Sequence, residues 1–312
     1  MFKKKVRLSQ KTIIYELMPP PKDLQKSDIE SSISTFARIT RRFPIDGINI
    51  PEVREETRNG KRKQFEIIKV EPKVIAKYLK IHSDIDIIIN RPTVYTPWNE
   101  QEIWFKKVYS EGIRNIILVG GESSRVKYPG PSVLETSVKL KKILPDIFLG
   151  GIIIPTRKNE ADRVFKKSEA GIEFFTSQIL YDSYFAKKFL KEYFYLCNRN
   201  KVLPKMIFLS FTPVSTPKDI ELLQWLGVDI PKKTVSYLQK GWFGMGWRSL
   251  DLCLDIFEDI LEYTSKNKIN VPLGLNIEHV NRHNFESSFI LLERISRLYL
   301  GKSKTNEVFR YL

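Results

Sequence analysis

Lys166-Lys167-Ser168-Glu169-Ala170-Gly171 leads into Ile172-Glu173-Phe174-Phe175 and then Thr176-Ser177-Gln178-Ile179-Leu180-Tyr181-Asp182. The stretch reads as a helix end, a glycine turn and a short apolar strand that stops abruptly in polar residues. Gly171 stands where a helix C-terminus favours a left-handed residue, and paired phenylalanines suit a strand buried on both faces. A glutamine where a buried strand runs out is a poor choice for packing and a good one for gripping a ligand. In α/β folds the carboxyl ends of parallel strands are where ligand sites lie.

The same unit recurs along the chain. Near-continuous apolar runs predict strands at 12–16, 47–50, 86–90, 115–119, 148–154, 174–178, 206–211 and 273–277. Amphipathic stretches predict helices at 28–42, 72–81, 100–112, 133–143, 161–170 and 184–197. The seventh connection is longer and holds segments at 218–226, 232–238 and 249–265, and a last helix covers 285–300. Asp28, Pro72 and Asn99 mark helix starts, while Gly112 and Gly171 mark short turns from helix to strand. Eight such units in 312 residues predict an α/β protein, a (β/α)8 TIM barrel forming a single domain over 1–312 with an elaborated seventh connection. A doubly wound open sheet is the alternative. Residues 1–10 are read as a basic N-terminal extension and 301–312 as a C-terminal tail.

With 42% hydrophobic and 12% aromatic residues the chain can bury a large core. No apolar run is long enough for a membrane span, and no signal core follows the basic start, so a cytoplasmic protein is expected. Cys197 and Cys253 are too few for a disulfide framework and read as reduced core thiols. The net charge of +16 attracts polyanions. The cations are spread along the chain, however, with only Lys3-Lys4-Lys5 and the RNGKRK run at 58–63 dense, and no nucleic-acid-binding motif accompanies them. A solvated basic surface is the favoured reading, and no nucleic-acid partner is expected.

Strand-end residues converge on one face of a barrel. Here they are Glu16, Pro51-Glu52, Asn90-Arg91, Gly120-Gly121-Glu122, Pro155-Thr156-Arg157, Gln178 with Asp182, Thr212, and Glu278-His279 with Arg282. Such a rim suits a polar heterocycle with an acidic tail. Glu16 has two readings: a carboxyl kept protonated in an apolar site as a general acid, or the ion-pair partner of Arg91 or another rim cation. Gln178 offers one ligand edge both a donor and an acceptor, or else caps loop backbone. Gly120-Gly121 either admits a ligand close to the backbone or makes a tight turn. The GWFGMGW run at 241–247 reads as a packed loop. His82 reads as a surface residue and His279 as facing the site. The three histidines and two cysteines form no metal-ligand set.

Taken in order, Tyr15-Glu16-Leu17-Met18-Pro19-Pro20, the run from Gly112 to Leu118, the Lys167–Asp182 unit, Pro213-Val214-Ser215 and Asn281-Arg282 resemble the methylenetetrahydrofolate reductase family. The resemblance runs from about Thr12 to Leu300. It implies Glu16 as the general acid that helps open the substrate's imidazolidine ring, with Gln178 and Arg282 at the reduced pterin substrate, where the strand-end positions also put Asp182 and Glu278. It also implies Lys167 as a cofactor contact and NAD(P)H as hydride donor, and the strand-end positions add Arg91, Gly120 and Gly121 to the cofactor side. Flavin-bearing members end the fourth strand in Arg-Gly-Asp, whereas this chain has Val119-Gly120-Gly121-Glu122. Weak or absent FAD binding is therefore expected. Two other readings remain: a reductase or methyl-transfer partner using a tetrahydromethanopterin-type carrier, and a non-catalytic nucleic-acid-binding barrel. Homo-oligomerisation is left open.

Overall fold

The computed structural model describes residues 1–54, 69–121, 126–241 and 244–301. The chain begins with α1 (Phe2–Arg7), β1 (Ile13–Glu16), α2 (Lys26–Thr40), β2 (Gly47–Pro51), α3 (Pro72–His82) and β3 (Asp86–Pro92). It continues with α4 (Trp98–Ser110), β4 (Asn115–Val119), α5 (Val133–Ile143), β5 (Phe148–Ile153), α6 (Glu160–Glu169), β6 (Phe174–Ser177) and α7 (Tyr184–Arg199). After β7 (Met206–Phe211) come α8 (Pro217–Trp225), α9 (Lys232–Leu238) and α10 (Met245–Lys266), then β8 (Leu273–Glu278) and α11 (Phe285–Leu300). The eight strands close in sequence order into one parallel barrel, with β8 pairing back onto β1. This is a (β/α)8 barrel.

The strands are apolar without alternation because both faces are buried. Ile14, Ile88, Ile117, Phe148, Phe174, Met206 and Phe208 fill the interior, while their neighbours Ile13, Tyr15, Ile87, Ile89, Ile116, Phe175 and Leu209 pack under the helices. Gly150 and Gly274 leave space for this layer, since a Cβ at either would lie 2.5 Å from the Phe174 or Phe208 ring.

Residues 1–10, expected as a basic extension, carry a helix that closes the amino-terminal end of the barrel. Phe2 is fully buried in the interior layer and meets Phe174 edge-on at 5.4 Å and Phe148 at 5.8 Å. The cations of α1 are tied to residues at the strand starts: Lys5 pairs with Asp46 at 2.6 Å, Arg7 pairs with Glu173 at 2.6 Å, and Lys3 donates to the Asp146 carbonyl. Part of the basic character is thus a local clamp. The sequence hides this because a six-residue helix is too short to show a periodic face.

The elaborated seventh connection has its own small core, in which Ile220, Leu223, Leu238 and Met245 pack with Ile179, Tyr181 and Val214. The GWFGMGW run ends inside α10, after Gly244 turns the chain with φ 85°. The RNGKRK run, Glu122 and the tail at 302–312 lie outside the described residues. Among the described residues no helix is long and apolar enough to cross a membrane. Replacing Phe2 with alanine removes the barrel plug. Urea unfolding should show a loss of about 3–5 kcal/mol, whereas an unchanged midpoint would mean that α1 is dispensable.

Candidate functional site

Above the apolar layer the strand period of two turns polar side chains into the barrel. Glu16 and Glu278 end neighbouring strands in direct register, and the His279 amide donates to the Glu16 carbonyl at 3.1 Å. Asn49 stands opposite Glu16 on β2. Its Nδ2 donates to Glu16 Oε2 at 2.8 Å, and Asn90 Nδ2 donates to the same oxygen at 3.3 Å. On the other side Asn276 Nδ2 donates to Glu278 Oε1 at 3.0 Å and to Ser210 Oγ at 2.9 Å. A polar arc thus runs over β7, β8, β1, β2 and β3. Facing it, Val119 and Ile152 continue the apolar interior on β4 and β5.

Burial raises the Glu16 pKa well above the ordinary carboxyl range, the neighbouring Glu278 charge raises it further, and the Asn90 hydrogen bond opposes both. Burial also pushes Glu278 up, to about 7, against a lowering hydrogen bond from Ser210. No cation with a described side chain forms an ion pair with either. Two adjacent carboxyls without a described counter-charge resist double ionisation, so the pair holds a proton to higher pH than a lone carboxyl does.

The other expected site residues divide. Gln178 lies at the same end of the barrel, but its Nε2 donates to the Gly227 carbonyl at 3.0 Å, bridging β6 to the α8–α9 turn. Asp182 accepts from the Tyr184 amide at 2.6 Å and so holds the start of α7. Arg91 alternates outward from Asn90; it pairs with Glu52 at 2.5 Å and lies over the Trp104 ring at 4.4 Å. Glu52, not Glu16, is therefore its partner. Lys167 donates to the Ile152 carbonyl at 2.7 Å from α6, outside the barrel wall. Gly121 is covered by Tyr128, whose ring would lie 2.4 Å from an added Cβ, whereas Gly120 has ordinary room. Arg282 lies in the one-turn helix after β8, and its side chain lies outside the description.

His279 points away from the mouth, buried edge-on against Phe285 at 5.2 Å, and burial depresses its pKa to about 4. His82 is half-buried at the end of α3 rather than fully on the surface. Among the described residues no three metal-ligating side chains gather. Asn49 and Asn276 were missed as site residues. Their signal was present: each is a lone amide inside an apolar run, Ile48-Asn49-Ile50 and Leu275-Asn276-Ile277, at an inward position.

No protein-family model matches the chain, and no curated protein does. Among solved structures, the chain is similar to an uncharacterized protein from Clostridium thermocellum that binds two copies of 5-methyl-5,6,7,8-tetrahydrofolic acid. The TM-score is 0.77 and the identity 25%, over 95% of this chain and 99% of that one. An aldolase, QR15, aligns over 96% of this chain and 99% of its own with 10% identity and a TM-score of 0.48, too distant to bear on function.

The raised carboxyl pKa values carry a sign. The folded protein retains protons that the unfolded chain releases, so stability falls as pH rises from the ordinary glutamate range through about 7, the Glu278 value. Glu278→Gln removes much of that loss. Its melting temperature should gain on the native protein between about pH 5 and about pH 8; a difference independent of pH would show that the pair ionises freely.

Proposed function

We propose that the chain binds a reduced folate at the carboxyl-end mouth and reduces its bound methylene group to N5-methyl. The carrying observation is the adjacent pair Glu16–Glu278, without an ion-pair partner among the described residues and set among amides in a barrel like that of a protein that binds 5-methyltetrahydrofolate. Adjacent acids of unequal proton affinity divide into two roles. The pair shares a raised proton affinity, and in this reading Glu16 holds the proton, the role the first-strand resemblance gives it. Glu16 passes it to N10 as the C–N10 bond of the methylene bridge breaks and leaves an N5 iminium. A nicotinamide bound in the same mouth would supply the hydride that the iminium carbon takes up, giving N5-methyl and the oxidised nicotinamide. Glu278, as the anion, lies beside the developing positive charge and accepts ring N–H groups.

The residues do not fit FAD. Tyr128 covers Gly121, Arg91 is held between Glu52 and Trp104, and Lys167 holds strand backbone, so three of the four expected cofactor contacts are engaged elsewhere and only Gly120 has room. No step runs through flavin. The methylated ligand of the similar structure also favours a second reading, a methyl-transfer partner in which the same acid would protonate N5.

Glu16→Gln keeps size and polarity but cannot donate. Turnover of methylenetetrahydrofolate with NAD(P)H should fall about 10²–10⁴-fold, while 5-methyltetrahydrofolate affinity stays within about threefold. Near-native turnover would make Glu16 structural. A native protein that binds folate but never oxidises NAD(P)H would shift the reading to methyl transfer. The purified protein should also be colourless and show sequential kinetics, with both substrates bound together. Stoichiometric yellow flavin with ping-pong kinetics would contradict that.

A further inference from the structure

The amides beside the two acids leave a specific deficit. Asn49 and Asn90 turn Nδ2 toward Glu16 Oε2, and Asn276 turns Nδ2 toward Glu278 Oε1, each to an oxygen that accepts. Each Oδ1 is then buried with no hydrogen-bond partner among the described residues. Asn49 and Asn276 are 1% exposed and Asn90 9%. Buried acceptors without donors are rare and costly. Here three lie on the polar arc of one barrel, facing the apolar residues Val119 and Ile152. No described residue supplies the missing donors, and a bound ligand can.

We propose that these three oxygens are an acceptor set for the N–H edge of the pterin ring and that they select reduced over fully oxidised folates. The proposal rests on the folate reading above. A tetrahydropterin presents N3–H, its exocyclic amine and N8–H in turn along one side, with the N1 acceptor between the amine and N8–H, and its face can lie on Val119 and Ile152. Full oxidation keeps the amine and N3–H but strips N8 of its hydrogen. A lone pair then faces an acceptor, and a buried oxygen is left unpaired. Sites built to hydrogen-bond a group discriminate strongly against analogues that lack it.

The test is a titration of the purified protein with tetrahydrofolate, 7,8-dihydrofolate and folic acid, read by calorimetry. The two N8–H ligands should bind at least about tenfold more tightly than folic acid. In Asn90→Leu and Asn276→Leu the reduced-to-oxidised ratio should fall toward one, with far-ultraviolet circular dichroism confirming the fold. Equal binding of all three ligands overturns the proposal and leaves the folate reading standing. If dihydrofolate behaves like folic acid, ring pucker or N5 is being read, and the proposal fails. If the leucine variants keep the native ratio, the oxygens face bound water instead, and it fails as well. Binding of none of the three removes the folate reading itself. Should a leucine variant not fold, the three-ligand series on the native protein still decides.

Discussion

Closing the barrel puts the last residue of β8 beside the last residue of β1, and in this chain both are glutamates. That register forces two carboxyl groups into one partly dry layer with no described cation to pair them. Their surroundings follow from this constraint. Amides on β2, β3 and β8 turn Nδ2 toward the acids, and their oxygens are left without a described donor. A site made this way holds a proton to higher pH than a lone carboxyl does and asks for N–H donors, two properties that suit a reduced pterin.

The barrel's two ends are built by opposite rules. At the amino end, phenylalanines and isoleucines fill the interior and α1 drives Phe2 into their midst, while its cations clamp acidic residues at the strand starts. At the carboxyl end the interior turns polar on one arc and stays apolar on the other. The rigid floor supports this mouth: the acids stand on strands whose inner faces are already close-packed, so their spacing is set by the sheet register rather than by mobile loops.

The fold was legible because the strand and helix periods are strong and the connections short. All eight strands fall within a residue or two of their expected bounds. The short helix α1 was not legible, since one turn and a half gives no period to detect. Glu16 and Glu278 could be placed at one end from strand position alone, but their pairing depends on the closure of β1 onto β8, which no local pattern encodes. Strand-end position also misled where alternation was not counted through. Arg91 follows inward-facing Asn90 and so must face outward, toward Trp104. Lys167, two residues from the end of α6, reaches strand backbone instead of the mouth. Asn49 and Asn276 needed the opposite correction: a lone amide in an apolar run is easily passed over, yet at an inward position it has to meet something polar.

The central claim is that a reduced folate sits against the Glu16–Glu278 arc. A crystal structure of the protein with 5-methyltetrahydrofolate tests it most directly. The account predicts the pterin ring between this arc and Val119–Ile152, with its N–H groups within hydrogen-bonding distance of Glu278 and the asparagine oxygens. A ring bound elsewhere, for instance in the groove between α6 and α7 lined by Lys188, Lys191 and Tyr195, with the barrel mouth empty, would contradict it.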